Sequence, residues 1–321
     1  MQRGEREAFA ALDLGTNTLL LLVARAGEGG ALEVLEDHCR TPRLGEGLAR
    51  SGAISPAAAE RALEALEFFA VRLRALGLPR ERTRAVGTAV LRRASNAAEF
   101  LERARARTGL AIEVLSEEEE ARLGHLAVAG ELRGGRAAIV DVGGGSTEFT
   151  SADGELRLSI PIGAVVLSER FESAGDFAAL EAEARRAAQG FPARGAAREA
   201  CVLLGGTSVN LACLERGFER FDPERAEGSR LALEAAGRWA ARLAALPLAR
   251  RLELPLEPER AAILPAGLAC AAAALERLEP ASVRASGRGL RFGVLRELAC
   301  PIGTPPEADF PPKSGASAGE R

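Results

Sequence analysis

The chain has 321 residues, with 42 lysines and arginines against 45 aspartates and glutamates, for a formal net charge of −3. That length suits two domains, and 47% hydrophobic with 27% charged residues excludes a largely disordered, collagenous or coiled-coil polypeptide. Five cysteines form no CxxC pair and the two histidines, His38 and His125, stand far apart, which argues against zinc sites, disulfide frameworks and histidine-dependent hydrolases.

Residues 8–13 and 19–25 are apolar runs that bracket Gly15-Thr16-Asn17-Thr18, the pattern of a β-hairpin, and 33–40 supplies a third strand. Ser55 as N-cap and Pro56 at the first helical position then open a helix that runs to Leu76. A strand over 82–87, a helix over 96–107, a strand over 112–115 and a helix from Glu117 to about residue 129, capped by Ser116, follow. From Arg136 the opening pattern returns: an apolar run ending in Asp141, the polar turn Gly143-Gly144-Gly145-Ser146-Thr147, and a strand over 148–150.

Asp141 lies 128 residues after Asp13, and this internal repeat predicts two similar α/β domains with equivalent loops facing each other. Strands near 155–160 and 201–204 and helices near 177–189, 208–216, 229–245, 258–278 and 288–298 continue the second half. The Pro-, Gly- and Ser-rich stretch 303–321 reads as a disordered tail.

Glycine-rich turns between strands expose backbone N–H groups and let a phosphate approach without side-chain obstruction. Two such turns, each led by an aspartate, can hold a phosphate chain and a divalent cation between them, with Asp13 and Asp141 on the cation side. The acidic run 117–120 suits a helix N-terminus, and one carboxylate at its end could act as general base, although position alone does not select it. The segment 87–96, with Thr88, Arg92, Arg93 and Asn96, is read either as a phosphate-facing strand-to-helix junction or as an Asn96 cap with two solvated arginines. Gly205-Gly206-Thr207 is a third phosphate-compatible turn.

Taken in order, 11–18 (ALDLGTNT), 43–48 (RLGEGL), Gly87-Thr88 with Arg92, Ala94 and Asn96, 116–123 (SEEEEARL), 141–148 (DVGGGSTE), 161–165 (PIGAV), 205–207 and 286–295 (SGRGLRFGVL) resemble the exopolyphosphatase/guanosine pentaphosphate phosphohydrolase family. The resemblance covers roughly residues 8–299 and places the chain in the actin-like, sugar kinase and Hsp70 superfamily. It implies an α/β fold of two ribonuclease-H-like domains, 5–121 and 122–300, with the last helix, about 288–299, packed on the first domain and the active site in the cleft between them.

The same resemblance implies magnesium-dependent hydrolysis of phosphoanhydrides, with Glu120 as catalytic base and Arg92 beside the reacting phosphate. It assigns phosphate contacts to Asp13, Gly15, Thr16, Asn17, Gly143, Gly144, Gly145, Ser146, Thr147, Gly205, Gly206 and Thr207, and a magnesium to Asp141 and Glu148. Expected substrates are inorganic polyphosphate, guanosine pentaphosphate or both; the alternatives are a non-hydrolysing polyphosphate or guanosine tetraphosphate sensor and a sugar- or acetate-kinase-like phosphotransferase.

Departures from the family pattern are Ala262, where an aspartate commonly follows Arg-Ala, Glu117 in place of glycine, and Val166 in place of a polar residue. The chain ends before the C-terminal helical domains of longer members, the expectation for a short two-domain form. No nucleic-acid or membrane partner is expected: Lys313 is the only lysine, tyrosine is absent, Trp239 is alone, and no apolar run approaches the roughly 20 residues of a span. The charged N-terminus without an apolar core makes the cytoplasm the expected compartment, and a homodimer is allowed for.

Overall fold

The computed structural model describes residues 7–27, 31–128, 137–171, 176–193 and 199–299, so the tail expected over 303–321 lies outside the described residues. Strands β1 (Ala8–Leu14) and β2 (Leu19–Ala26) form the expected antiparallel hairpin, and β3 (Leu32–Arg40) pairs with β2. Both faces of this hairpin are covered, which is why its strands read as continuous apolar runs: Leu12 and Leu21 enter one core while Ala11, Leu22 and Ala24 enter another.

The short helix α1 (Leu48–Ser51) leads to α2 (Pro56–Ala75), where the Ser55 hydroxyl accepts the Ala58 N–H at 3.2 Å. Helix α2 buries Leu63, Leu66, Phe69 and Leu73 against the sheet. Then β4 (Thr83–Gly87) runs parallel to β1, followed by α3 (Ala89–Arg93), α4 (Ala97–Thr108) and β5 (Ile112–Val114), giving the order β3-β2-β1-β4-β5. Asn96 does not cap α4. Its side chain instead accepts the Ile54 N–H at 2.8 Å and donates to the Ile54 carbonyl at 2.9 Å, stapling the entry of α2 to the end of α3.

Helix α5 (Glu117–Val128) leaves this body, and the repeat begins with β6 (Ala137–Val142), β7 (Thr147–Thr150) and β8 (Arg157–Ile160). Helices α6 (Ala164–Phe171) and α7 (Phe177–Ala188) precede β9 (Ala200–Leu204), which pairs parallel to β6. The chain continues through α8 (Gly205–Glu215), α9 (Pro223–Ala226), β10 (Arg230–Leu231), α10 (Ala235–Ala244), α11 (Leu248–Arg251), α12 (Leu264–Leu278), β11 (Val283–Ser286) and α13 (Leu290–Ala299).

The second sheet has the order β10-β11-β9-β6-β7-β8. Apart from the added β10, each sheet joins a three-stranded antiparallel meander to two parallel strands, so the sequence repeat is a repeat of topology.

Three segments depart from the sequence expectation. The helix expected over 229–245 starts only at Ala235, because Arg230–Leu231 pairs with β11 as an edge strand. The helix expected over 258–278 is a 3-10 turn at Pro258–Arg260 followed by α12, which opens at Leu264 with Pro265 in the first turn, where a missing N–H costs nothing. Helix α8 starts directly at Gly205, so Gly205, Gly206 and Thr207 are its first turn rather than a loop.

A third core sits between the sheets. It joins Ala11, Leu22 and Val86 of the first sheet and Ile139, Val202 and Leu204 of the second to Leu123 and Ala127 of α5 and Leu290, Val294 and Leu295 of α13. Helix α13 packs on β1 and β2 as well as on α5, and the expected division between residues 121 and 122 falls inside α5. The two helices cross in backbone contact: a Cβ on Gly293 would collide with the Leu123 carbonyl oxygen.

Candidate active site

The two hairpin turns face each other. Gly144 and Gly145 lie so close to the first turn that a Cβ on Gly145 would sit 2.8 Å from Thr16 Oγ1, which explains glycine there. Each turn is closed by one backbone bond, Gly15 N–H to the Thr18 carbonyl and Gly143 N–H to the Ser146 carbonyl, both 3.0 Å. The first turn is backed by the 43–47 loop, where the Arg43 N–H donates to Asn17 O at 3.0 Å and the Gly45 N–H to Thr16 O at 2.8 Å. Between the turns opens a cleft of about 1000 Å³.

Among the carboxylates that line this cleft are Asp13 from β1, Glu120 from α5, Asp141 from β6 and Glu148 from β7, where Asp141 and Glu148 stand opposite each other in the hairpin register. Their mutual proximity is visible in their acidity. Desolvation, followed by the Glu120 charge, pushes Asp13 up to about 7 against the opposing pull of Arg291. The same two causes raise Asp141 to about 6, opposed by Arg260. Burial raises Glu148 well above the usual carboxylate range, with Glu120 and Asp141 adding to it and hydrogen bonds from Ser146 and Ser159 opposing it. Burial also raises Glu120, against the hydrogen bond and charge of Arg92.

Arg92 Nη1 donates to Glu120 Oε2 at 2.7 Å and to the Leu115 carbonyl at 2.9 Å, while its buried Nη2 has no hydrogen-bond partner. Arg92 is therefore not a solvated surface arginine; it holds Glu120. Asn17 Nδ2 is a second buried donor without a partner, in a residue that lines the cleft. Orphan donors beside exposed loop amides suit an oxyanion ligand.

Of the residues expected from sequence, Asp13, Gly15, Thr16, Asn17, Glu120, Asp141, Gly143, Gly144, Gly145, Ser146, Glu148, Gly205 and Gly206 come together on the cleft wall. Arg92, expected beside the reacting phosphate, is not on that wall, and neither are Thr147 and Thr207. Thr147 is fully buried and donates to the Ile162 carbonyl at 2.8 Å, and Thr207 is buried beside the Val142 carbonyl at 3.4 Å, so both hydroxyls serve the second core.

Two arginines escaped the sequence reading. Arg260 lines the cleft next to Gly206 and is held by Glu257 at 2.6 Å, whose own N–H donates to Asn210 Oδ1 at 2.7 Å. Arg291 donates to Asp37 at 3.2 and 2.9 Å and to the Gly287 carbonyl at 3.2 Å. Only the clustering of Arg260 before a long apolar helix and of Arg291 inside a glycine-rich segment hinted at them. Ala262, the position where an acid was expected, is exposed and lies off the cleft wall.

The donor set can be tested for a cation. It consists of oxygens only, and the charges of Glu120 and Asp141 raise the pKa values of neighbouring carboxyls, an imbalance a hard divalent ion would relieve. Among the described residues no three His, Cys, Asp or Glu side chains are grouped closely enough to hold an ion by themselves. Magnesium takes one or two carboxylates and completes its shell with water and substrate phosphate.

The same cleft is also lined by the apolar side chains of Leu32, Val34, Phe221 and Phe292 and by Gly287 and Arg288. Glu227 holds that glycine segment by accepting Ser286 Oγ at 2.7 Å and the Gly287 N–H at 2.6 Å.

The model of the Ppx/GppA phosphatase family matches residues 22–300. The solved structure of the Aquifex aeolicus PPX-GPPA enzyme is 30% identical over 90% of this chain and 99% of its own, with a TM-score of 0.73. An exopolyphosphatase-like protein is 25% identical over 91% and 98% of the two chains, with a TM-score of 0.81. An exopolyphosphatase from Cytophaga hutchinsonii, 21% identical over 93% and 99%, shares the fold with a TM-score of 0.75.

Proposed function

The chain belongs to the Ppx/GppA phosphatase family, with that family's actin-like two-domain α/β architecture, and from this premise we propose that it releases terminal phosphate from guanosine pentaphosphate, inorganic polyphosphate or both. The observation that carries the proposal is the convergence of Glu120 with Asp13, Asp141, Glu148 and both glycine-rich turns in one cleft. Glu120 takes the proton of the attacking water. A raised pKa makes its carboxylate a stronger base than that of an exposed glutamate, and Arg92 fixes its orientation.

The backbone N–H groups of the two turns, with the orphan donor of Asn17, hold phosphate oxygens and stabilise the charge that develops on the transferred phosphoryl group. Asp141 and Glu148 would hold magnesium, which when bound supplies charge neutralisation to the phosphate chain. The side chain of Arg260, opposite Asp141, adds a fixed cation to the same wall.

The apolar part of the cleft lining favours the nucleotide among the two substrates. Leu32, Val34, Phe221 and Phe292 offer apolar surface to a base, which a bare phosphate polymer does not possess. A sensor without hydrolysis finds little support: its motive was Ala262, and that residue lies off the cleft.

Phosphate release from guanosine pentaphosphate, short polyphosphate and long polyphosphate, measured in parallel, tests the proposal. Glu120→Gln should keep the fold and lower kcat by about 10²–10⁴-fold, and chelation of magnesium should abolish release from the parent protein. Wild-type turnover in Glu120→Gln would remove Glu120 as base; release that persists in chelator would remove the metal.

A further inference from the structure

Glu120 is gripped by Arg92, but the helix turn that carries it is also held by side chains that do not line the cleft. Glu297 of α13 accepts hydrogen bonds from two arginines on two other elements, Arg84 of β4 and Arg122 of α5. Arg122 also donates Nε and Nη2 to Glu119 at 2.8 and 2.7 Å, and Arg84 donates Nε to Glu113 of β5 at 3.1 Å.

The Glu119–Arg122 pair lies within one turn of one helix, so it cannot by itself place that helix against anything else. Arg84 and Glu119 stand 3.9 Å apart, too far for a hydrogen bond. Glu297 is the acceptor that joins the two arginines, and through them β4, α5 and α13. One turn before it along α13, Gly293 brings the two helices into backbone contact at Leu123, so a shift of α13 moves α5 directly. The side chains involved are half-buried, between 23% and 36% exposed, where ion pairs contribute more to geometry than to stability.

We propose that Glu297 is a positioning residue for the reaction: by binding Arg84 and Arg122 together it fixes the first turn of α5 and thereby sets where the Glu120 carboxylate stands in the cleft. The proposal rests on Glu120 being the base. It touches no substrate atom, and its effect is expected in turnover rather than binding, because the phosphate-holding turns belong to other elements.

The test is a double-mutant cycle read by steady-state phosphate release from guanosine pentaphosphate and short polyphosphate. Glu297→Ala should lower kcat by about tenfold with KM within about twofold of the parent, and should cost nothing further in the Glu120→Gln background, where the misplaced group is already gone. Glu297→Gln, which keeps the side-chain volume, is read in the same way should the alanine variant unfold on a thermal melt.

An unchanged kcat in both Glu297 variants overturns the proposal. So does an equal loss in the parent and Glu120→Gln backgrounds, which is the mark of a purely structural residue. Wild-type turnover in Glu120→Gln alone brings down the base assignment, and this proposal with it, by a result that does not involve Glu297.

Discussion

Four consecutive glutamates open α5, and a rotation of about 100° per residue points them in different directions. Glu117 and Glu118 are 64% and 85% exposed, Glu119 turns to Arg122, and Glu120, 15% exposed, turns to Arg92 and the cleft. Selection of the base is therefore a matter of orientation. The same cleft makes Asp13 a liability to the fold. Its carboxyl, raised to about 7, keeps its proton in the folded state where the unfolded chain has lost it. Folding stability then falls as pH rises from about 4 to about 7 and gains nothing beyond. Asp13→Asn should consequently be more stable than the parent by about 1–2 kcal/mol at pH 8 in metal-free buffer, and equally stable near pH 4. Urea denaturation at the two pH values decides this, and coincident curves at pH 8 would contradict it.

At the scale of elements, the hairpins and their turns were legible because short apolar runs and glycine chemistry act over a few residues. The ends of the helices in the second half were less so. Nothing local in residues 229–234 announces that Arg230–Leu231 will be recruited as an edge strand by β11, more than 50 residues away in sequence. The crossing of α5 and α13 is also a tertiary matter, and two glycines separate its causes. Gly293 has the Leu123 carbonyl against the place of its Cβ, whereas Gly124, in the middle of α5, has nothing within 4 Å. Gly293→Ala should cost about 1–3 kcal/mol by forcing the helices apart, and Gly124→Ala should be neutral or stabilising by up to about 1 kcal/mol from helix propensity. Chemical denaturation of the two variants side by side checks the contrast; equal behaviour would mean that the helices do not depend on that contact.

For the whole molecule, the site exists only where two bodies meet, and several contacts join them around the cleft. Gly144 and Gly145 pack on Thr16, Cys39 Sγ donates to Glu257 Oε1 at 3.6 Å, and the Gly47 N–H donates to Glu169 Oε1 at 2.7 Å. The last is a carboxylate of the second body capping α1 of the first, one step from the loop that backs the phosphate turn. Loss of that acceptor should favour an opened cleft. Glu169→Ala is expected to raise KM by about three- to tenfold with kcat at saturation nearly unchanged, while Glu169→Gln, whose amide oxygen can still accept, should stay close to the parent. Steady-state kinetics of both variants test this, and equal KM values in all three proteins would rule the contact out as a clasp. Among the described residues no helix is long and apolar enough to cross a membrane.

Apolar runs, turn glycines and the repeated Asp-led turns were enough, read along the chain, to specify two α/β halves with facing loops and to name the two glycine-rich turns of the cleft, because those signals are local. Which glutamate faces the cleft, that Thr147 and Thr207 turn into the core, that Asn96 staples Ile54 instead of capping α4, that Arg260 and Arg291 reach the cleft, and that Glu297 joins Arg84 to Arg122 were decided by the tertiary structure. Hydrogen-bond partners and raised pKa values depend on groups that approach only when the two sheets and the α5–α13 pair pack together, and no spacing along the chain encodes that approach.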